Sequence, residues 1–131
     1  MPFWGLILSS CSFIIPSIIA FRKRKYIMAK ACGILTVTSI LYHGTNHHIL
    51  KIIDICYAHS VAVSYSIVSV YKCIRNRRIY DIMILSGVGS SIYIFYSKSC
   101  NHLEPHQDQW HMVMHFISQG SWILHALDSK K

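Results

Sequence analysis

Acidic residues are scarce in this chain: 5 Asp or Glu stand against 13 Lys or Arg, and charged residues of both signs make up only 14% of 131 residues. A soluble domain carries about 25%, so the composition excludes an ordinary water-facing surface. No internal repeat and no low-complexity linker interrupts the chain, which reads as one domain over 1–131. No Cys-x-x-Cys occurs among Cys11, Cys32, Cys56, Cys73 and Cys100. That excludes a zinc finger and a dithiol redox motif. Four of the five lie in or beside apolar segments, as small buried residues do, and only Cys100 sits in a loop of any length.

What is abundant is apolar sequence, 53% of the chain, gathered in blocks at 4–21, 27–43, 49–71, 79–96 and 108–127. A spanning helix needs about 20 mostly apolar residues, with a range of about 17–25. The blocks therefore predict an all-α, polytopic membrane helix bundle of five transmembrane helices, an integral protein of an endomembrane or the plasma membrane. The last block is the least apolar. The first is expected to be a span rather than a cleaved leader, since no basic stretch precedes it and cations follow it.

The surplus of positive charge could signal nucleic acid, but its distribution argues against that partner. Arg22, Lys23, Arg24 and Lys25 form one cluster, Lys72, Arg75, Arg77 and Arg78 a second, and Lys130 and Lys131 a third. Each follows an odd-numbered block, and no aromatic-interleaved basic face accompanies them. Clusters of this kind orient membrane proteins and meet anionic headgroups. All three fall on one side, which predicts a cytoplasmic C-terminus and a non-cytoplasmic N-terminus.

Ionisable residues within apolar spans are costly and mark functional sites. Ser39 and His43 sit one turn apart near the end of the second block, Asp54 near the start of the third, and His111 and His115 one turn apart in the last. Residues four apart share a helix face. With the expected topology, the three histidines and Asp54 come to one depth, toward the non-cytoplasmic half. Three neutral imidazoles with an open position suit a catalytic zinc, and a nearby carboxylate can move the proton of an attacking water. Ser39 could hold a ligand's second nitrogen or a developing oxyanion.

Structural readings stand beside these. His47 or His48 could replace His43 as ligand, Asp54 could pair with Lys51, and Ser39 could bond the carbonyl of Leu35. His59 is expected to bond a helix neighbour, and His125 to be structural. His102 and His106 read as an exposed polar loop, with a second, weaker metal site there left open. Ser86, Gly87, Gly89, Ser90 and Ser91 suit close helix packing. Ser60, Ser64, Tyr65, Ser66 and Ser69 suit interhelical hydrogen bonds, and Trp4 and Trp110 interfacial anchoring.

Ser39-x-x-x-His43, Asp54 and His111-x-x-x-His115, in that order and with eleven positions from His43 to Asp54, resemble the superfamily of the alkaline ceramidases and the progestin and adipoQ receptors. The resemblance covers the two ends of that family's catalytic core. It implies Zn2+ on His43, His111 and His115, Asp54 and Ser39 as the catalytic pair, and hydrolysis of an amide or ester bond in a membrane lipid. The family has seven spans; here two between the Asp and the final histidines are missing, which preserves their parity and removes part of the pocket wall. A homo-oligomer could close such a pocket. Two other functions fit the same residues: a b-type haem held by facing histidines, and a non-catalytic receptor-like or assembly protein of the membrane.

Overall fold

The computed structural model describes residues 4–128. Among them every regular element is a helix: α1 (Trp4–Cys11), α2 (Ile14–Arg22), α3 (Tyr26–Thr45), α4 (His48–Asn76), α5 (Ile79–Ile94), a π-helical turn (Phe95–Ser99) and α6 (Gln107–Leu127). Four rods are long and apolar enough to cross a membrane: Trp4–Arg22, Tyr26–Thr45, His48–Asn76 and Ile79–Ser99. This is an all-α membrane bundle and an integral membrane protein. The expected fifth span, α6, has the length at 21 residues but not the apolarity. The reason is its position. It packs against α1, α2, α5 and the π turn and buries polar residues there, His115, Gln119, Ser121 and His125 among them.

Polar burial is not confined to α6. Ser10, Ser69 and Asp81 are fully buried, while Ile27, Ile74 and Ile79 are at least 75% exposed. Apolar residues outside and polar residues inside are the arrangement that a lipid environment favours. Between the helices lie Ala20, Cys32 and Ala126, all fully buried and small, against Phe13, Met28 and Trp122. Small residues let helix backbones approach closely where lipid supplies no hydrophobic drive.

The first span is not the continuous helix its apolar run suggests. Pro16 has no amide hydrogen to give the Ser12 carbonyl, and that carbonyl instead accepts the amide of Ile15 at 3.0 Å. One turn earlier, the amide of Phe13 bonds Ser10 O at 3.2 Å rather than Ser9 O. The freed Ser9 carbonyl accepts Gln119 Nε2 at 2.7 Å, and the Ser12 hydroxyl is shared between that carbonyl at 2.7 Å and Gln119 Oε1 at 2.8 Å. The break between α1 and α2 thereby locks the first span to α6.

Contacts along the rods give an up-and-down order. Thr38 Oγ1 meets Asp54, and Tyr57 meets Ala31 O, so α3 and α4 run antiparallel. Ser99 meets His111 while Gly87 faces Ser121, so α5 and α6 do too. Asn46 and Arg77 close α3 and α4 in the left-handed region, at φ 53° and 48°; Asn tolerates that conformation well. At one end of the bundle Lys25 Nζ reaches the carbonyls of His125 and Asp128, while Arg78 joins Asp81 and Asp128. Lys72 bridges to Asp128 at 3.4 Å. The first two basic clusters therefore meet at one end, as expected. Lys130 and Lys131 lie outside the described residues.

Candidate metal centre

The opposite end holds the histidines. α3 delivers His43 from its last turn, and α6 delivers His111 and His115 one turn apart on one face. Their ring centroids lie 5.0 Å (His43–His111), 5.5 Å (His43–His115) and 4.7 Å (His111–His115) apart, all edge to face. One nitrogen from each ring lies within 4.8 Å of both others, so the buried cluster could hold a metal ion. Among the described residues no other group of three or more His, Cys, Asp or Glu converges in this way. His102 and His106 do not form a second cluster. His47 and His48 are exposed and do not join this one.

Hydrogen bonds engage one nitrogen on each of the two α6 rings. Ser9 Oγ lies 2.9 Å from His115 Nδ1, and its own hydrogen goes to Leu6 O at 3.0 Å. Ser9 must then accept from Nδ1–H, which leaves a lone pair on His115 Nε2. Ser99 Oγ lies 2.7 Å from His111 Nδ1 and engages that nitrogen, so Nε2 is the one turned from it. The Nε2 of His43 is buried with no hydrogen-bond partner at all. An orphaned buried nitrogen needs an explanation, and a cation shared with two prepared imidazoles supplies one. A ligand histidine whose other nitrogen is bonded to a neighbour is the ordinary arrangement at a metal. The donor set therefore fits a borderline divalent ion.

Ser9 and Ser99, which contact the histidine rings, are the residues of this cluster that sequence reasoning missed. Ser9 and Ser10 are polar residues inside an apolar block, a signal as strong in kind as Ser39. Ser99 lies three residues past the expected end of the fourth span. It reaches His111 because the last turn of that rod widens into a π-helix, a form common at functional sites.

Ser39 is buried and contacts Ser10 Oγ at 2.9 Å. Ser10 gives its hydrogen to Leu6 O at 2.7 Å, so Ser39 is the donor of that pair. No hydrogen bond joins Ser39 to a histidine or to the carbonyl of Leu35 among the described residues. Asp54 is buried and takes Thr38 rather than Lys51 as its partner, with Thr38 Oγ1 donating to Oδ1 at 2.7 Å. His59 bonds Ile55 O through Nδ1 and the Tyr96 hydroxyl through Nε2. Ser60 and Ser64 bond carbonyls of their own helix and bridge nothing. His125 packs its ring on Tyr65, far along α6 from the cluster.

A cavity of about 390 Å³ opens beside the cluster, and Ser39, Asp54, His111 and His115 all line it. That volume lies at the small end of ligand sites. At the loop end of the cavity, burial pushes the Cys100 thiol up, with Lys51 partly opposing the shift. Compared with protein-family models, curated proteins and solved structures, the chain matches none.

Proposed function

We propose that the protein is a zinc-dependent hydrolase that works within the membrane on an amide or ester bond of a lipid. Membership in the superfamily of the alkaline ceramidases and the progestin and adipoQ receptors is part of that proposal. So is the orientation, with the basic end in the cytoplasm, the histidines toward the other leaflet and the protein in an endomembrane or the plasma membrane. The observation that carries it is the convergence of His43, His111 and His115, with Asp54 and two of the imidazoles on one cavity wall.

A zinc ion in this nest supplies Lewis acidity toward a carbonyl oxygen and toward water. The chain's own residues do the rest. His43, His111 and His115 would hold the ion; Ser9 sets the tautomer of His115, and Ser99 restrains the tilt of His111. Thr38 holds Asp54 at Oδ1, which leaves Oδ2 to take a proton from water and return it to the leaving group. Ser39 stands on the cavity wall as a hydroxyl near the reacting carbonyl. Phe13, Leu35 and Trp122 keep bulk water away. The histidine rings touch edge to face, with no slot for a porphyrin between them, so a small ion is favoured over a b-type haem.

Purified protein in detergent is expected to carry about one zinc per chain and to release fatty acid from a lipid amide or ester. Replacing both His111 and His115 by Ala is expected to remove the metal. Asp54→Asn should keep it and lower turnover by on the order of 10²–10⁴-fold. Absence of zinc, or zinc retained after the double replacement, rejects the proposal. Bound zinc without turnover on any amide or ester leaves the receptor-like alternative.

A further inference from the structure

The cavity has a direction. Its wall on α4 carries Lys51, Asp54, Ile55, Ala58 and Ala62, spaced as one helix face. At about 1.5 Å of rise per residue, 51 to 62 spans roughly 16 Å. On α6 the lining runs from Gln107 past His111 and His115 to Trp122. The two helices point the same way, so Lys51 and Gln107 mark one end and Ala62 and Trp122 the other. From the histidines toward Trp122 the walls are largely apolar, with Leu35, Val88 and Ile92. Beyond them, toward the loop, the lining is polar, with Lys51, His102 and Tyr42.

Lys51 is the one Lys or Arg among the described residues that lines this cavity. Among the described residues no salt bridge or side-chain hydrogen bond engages it, whereas Lys72, Arg78 and Lys98 all pair with carboxylates. It is exposed, yet it lines the same cavity as the buried Asp54 one turn away. An unpaired ammonium at the mouth of an elongated apolar cavity is a binding element for an anion at the end of a chain.

We infer that the site takes a single-chain amphiphile with an anionic head only a few bonds beyond the amide or ester linkage, the head held by Lys51 and the chain lying toward Trp122. This rests on the hydrolase proposed above. The separation supports it. Lys51 and Asp54 are three residues apart on one face of α4 and both line the cavity, so a head held by Lys51 sits only a few bonds from a linkage beside Asp54. A cavity of this volume and length takes one extended chain. In the reaction the oxygen of water bonds to the acyl carbon and the bond from that carbon to the head's nitrogen or oxygen breaks. One water proton passes through Asp54 to the leaving atom. The products are a fatty acid and the free anionic head, with no oxidant or co-reactant needed.

The test uses the full chain in nanodiscs of neutral lipid, with N-palmitoylglycine, its uncharged counterpart N-palmitoylethanolamine and a two-chained ceramide. Both binding and release of palmitate are measured. N-palmitoylglycine is expected to be preferred by roughly tenfold or more. Lys51→Gln should bring the first two substrates level, and Lys51→Arg should keep the preference. Zinc content read on the same samples checks that each variant remains folded. Equal handling of the two single-chain amides, a preference that survives Lys51→Gln, or faster cleavage of ceramide overturns the inference while the hydrolase stands. Lys51-dependent binding without cleavage retains the ligand class and rejects the hydrolase. Neither binding nor cleavage rejects both.

Discussion

Replacing Ser9 by Ala isolates the aiming of one ligand from its presence. The hydroxyl accepts Nδ1–H of His115 at 2.9 Å, in a fully interior position. Its loss leaves a buried ring N–H unsatisfied, a cost of about 1–3 kcal/mol, and frees the ring to turn or to shift its proton to the ligand nitrogen. Loss of such outer partners lowers metal affinity by roughly 10–100-fold, or about 1.4–2.8 kcal/mol, in line with the hydrogen-bond cost. The assay is a competitive zinc titration against a fluorescent chelator, in detergent. Ser9→Thr keeps a hydroxyl and should restore most of the affinity. Ser12→Ala, one turn on, removes a bond to Gln119 instead and should leave zinc binding near that of the parent. Undiminished affinity in Ser9→Ala, or an equal fall in Ser12→Ala, would refute the tautomer argument.

Gly87→Ala is expected to destabilise the bundle by about 1–3 kcal/mol. Its new methyl would collide with Ser121 Oγ and stand 3.2 Å from Ser121 Cβ, whereas Gly89→Ala meets open space and should be tolerated; thermal melts in detergent that rank the two alike would contradict this. Thr38→Val removes the hydrogen bond that orients Asp54, so turnover should fall about tenfold, for a bond worth about 1–1.5 kcal/mol, with zinc content intact. Loss of metal in this variant would mean that Thr38 supports the fold instead. Lys98 Nζ bonds Glu104 at 3.1 Å and holds its carboxyl below the ordinary 4.5. A carboxylate depressed in the folded state stabilises above its ordinary value and loses that effect as pH falls through the lowered one. The segment joining the π turn to α6 should therefore show less protection in hydrogen exchange near pH 3 than near pH 6, after correction for intrinsic rates. Lys98→Ala should show the weaker protection at both, and a difference that persists in it would count against the pairing.

The spans were legible because hydrophobic blocks of helical length admit few alternatives, and the basic clusters at Arg22–Lys25 and Lys72–Arg78 marked one end. The membrane character of α6 was harder to read: a helix packed on several sides can bury Gln119 and His125 inside the protein and has less need of apolar length. Helical spacing placed His111 and His115 on one face, and the parity of the spans brought His43 to the same level. Spacing carried no information about partners from other helices. Asp54 could as well have paired with Lys51, three residues away, and Ser39 with Leu35. Thr38 and Ser10 took those places because α3 and α1 pack where they do. Ser99 was hidden for a different reason: a π turn shifts register by a fraction of a turn, and no residue type signals it. Ser9 was the legible omission, a polar side chain in an apolar span whose local bond to Leu6 O still leaves its oxygen free to accept.

X-ray absorption at the zinc edge of the purified protein tests the centre most directly. The expected spectrum has three imidazole nitrogens at about 2.0–2.1 Å, with the outer-ring scattering of histidine and at most one further light atom. Sulfur scattering at about 2.3 Å would place the metal on the chain's cysteines instead, and a preparation that holds no zinc would leave His43 Nε2 buried without a cause.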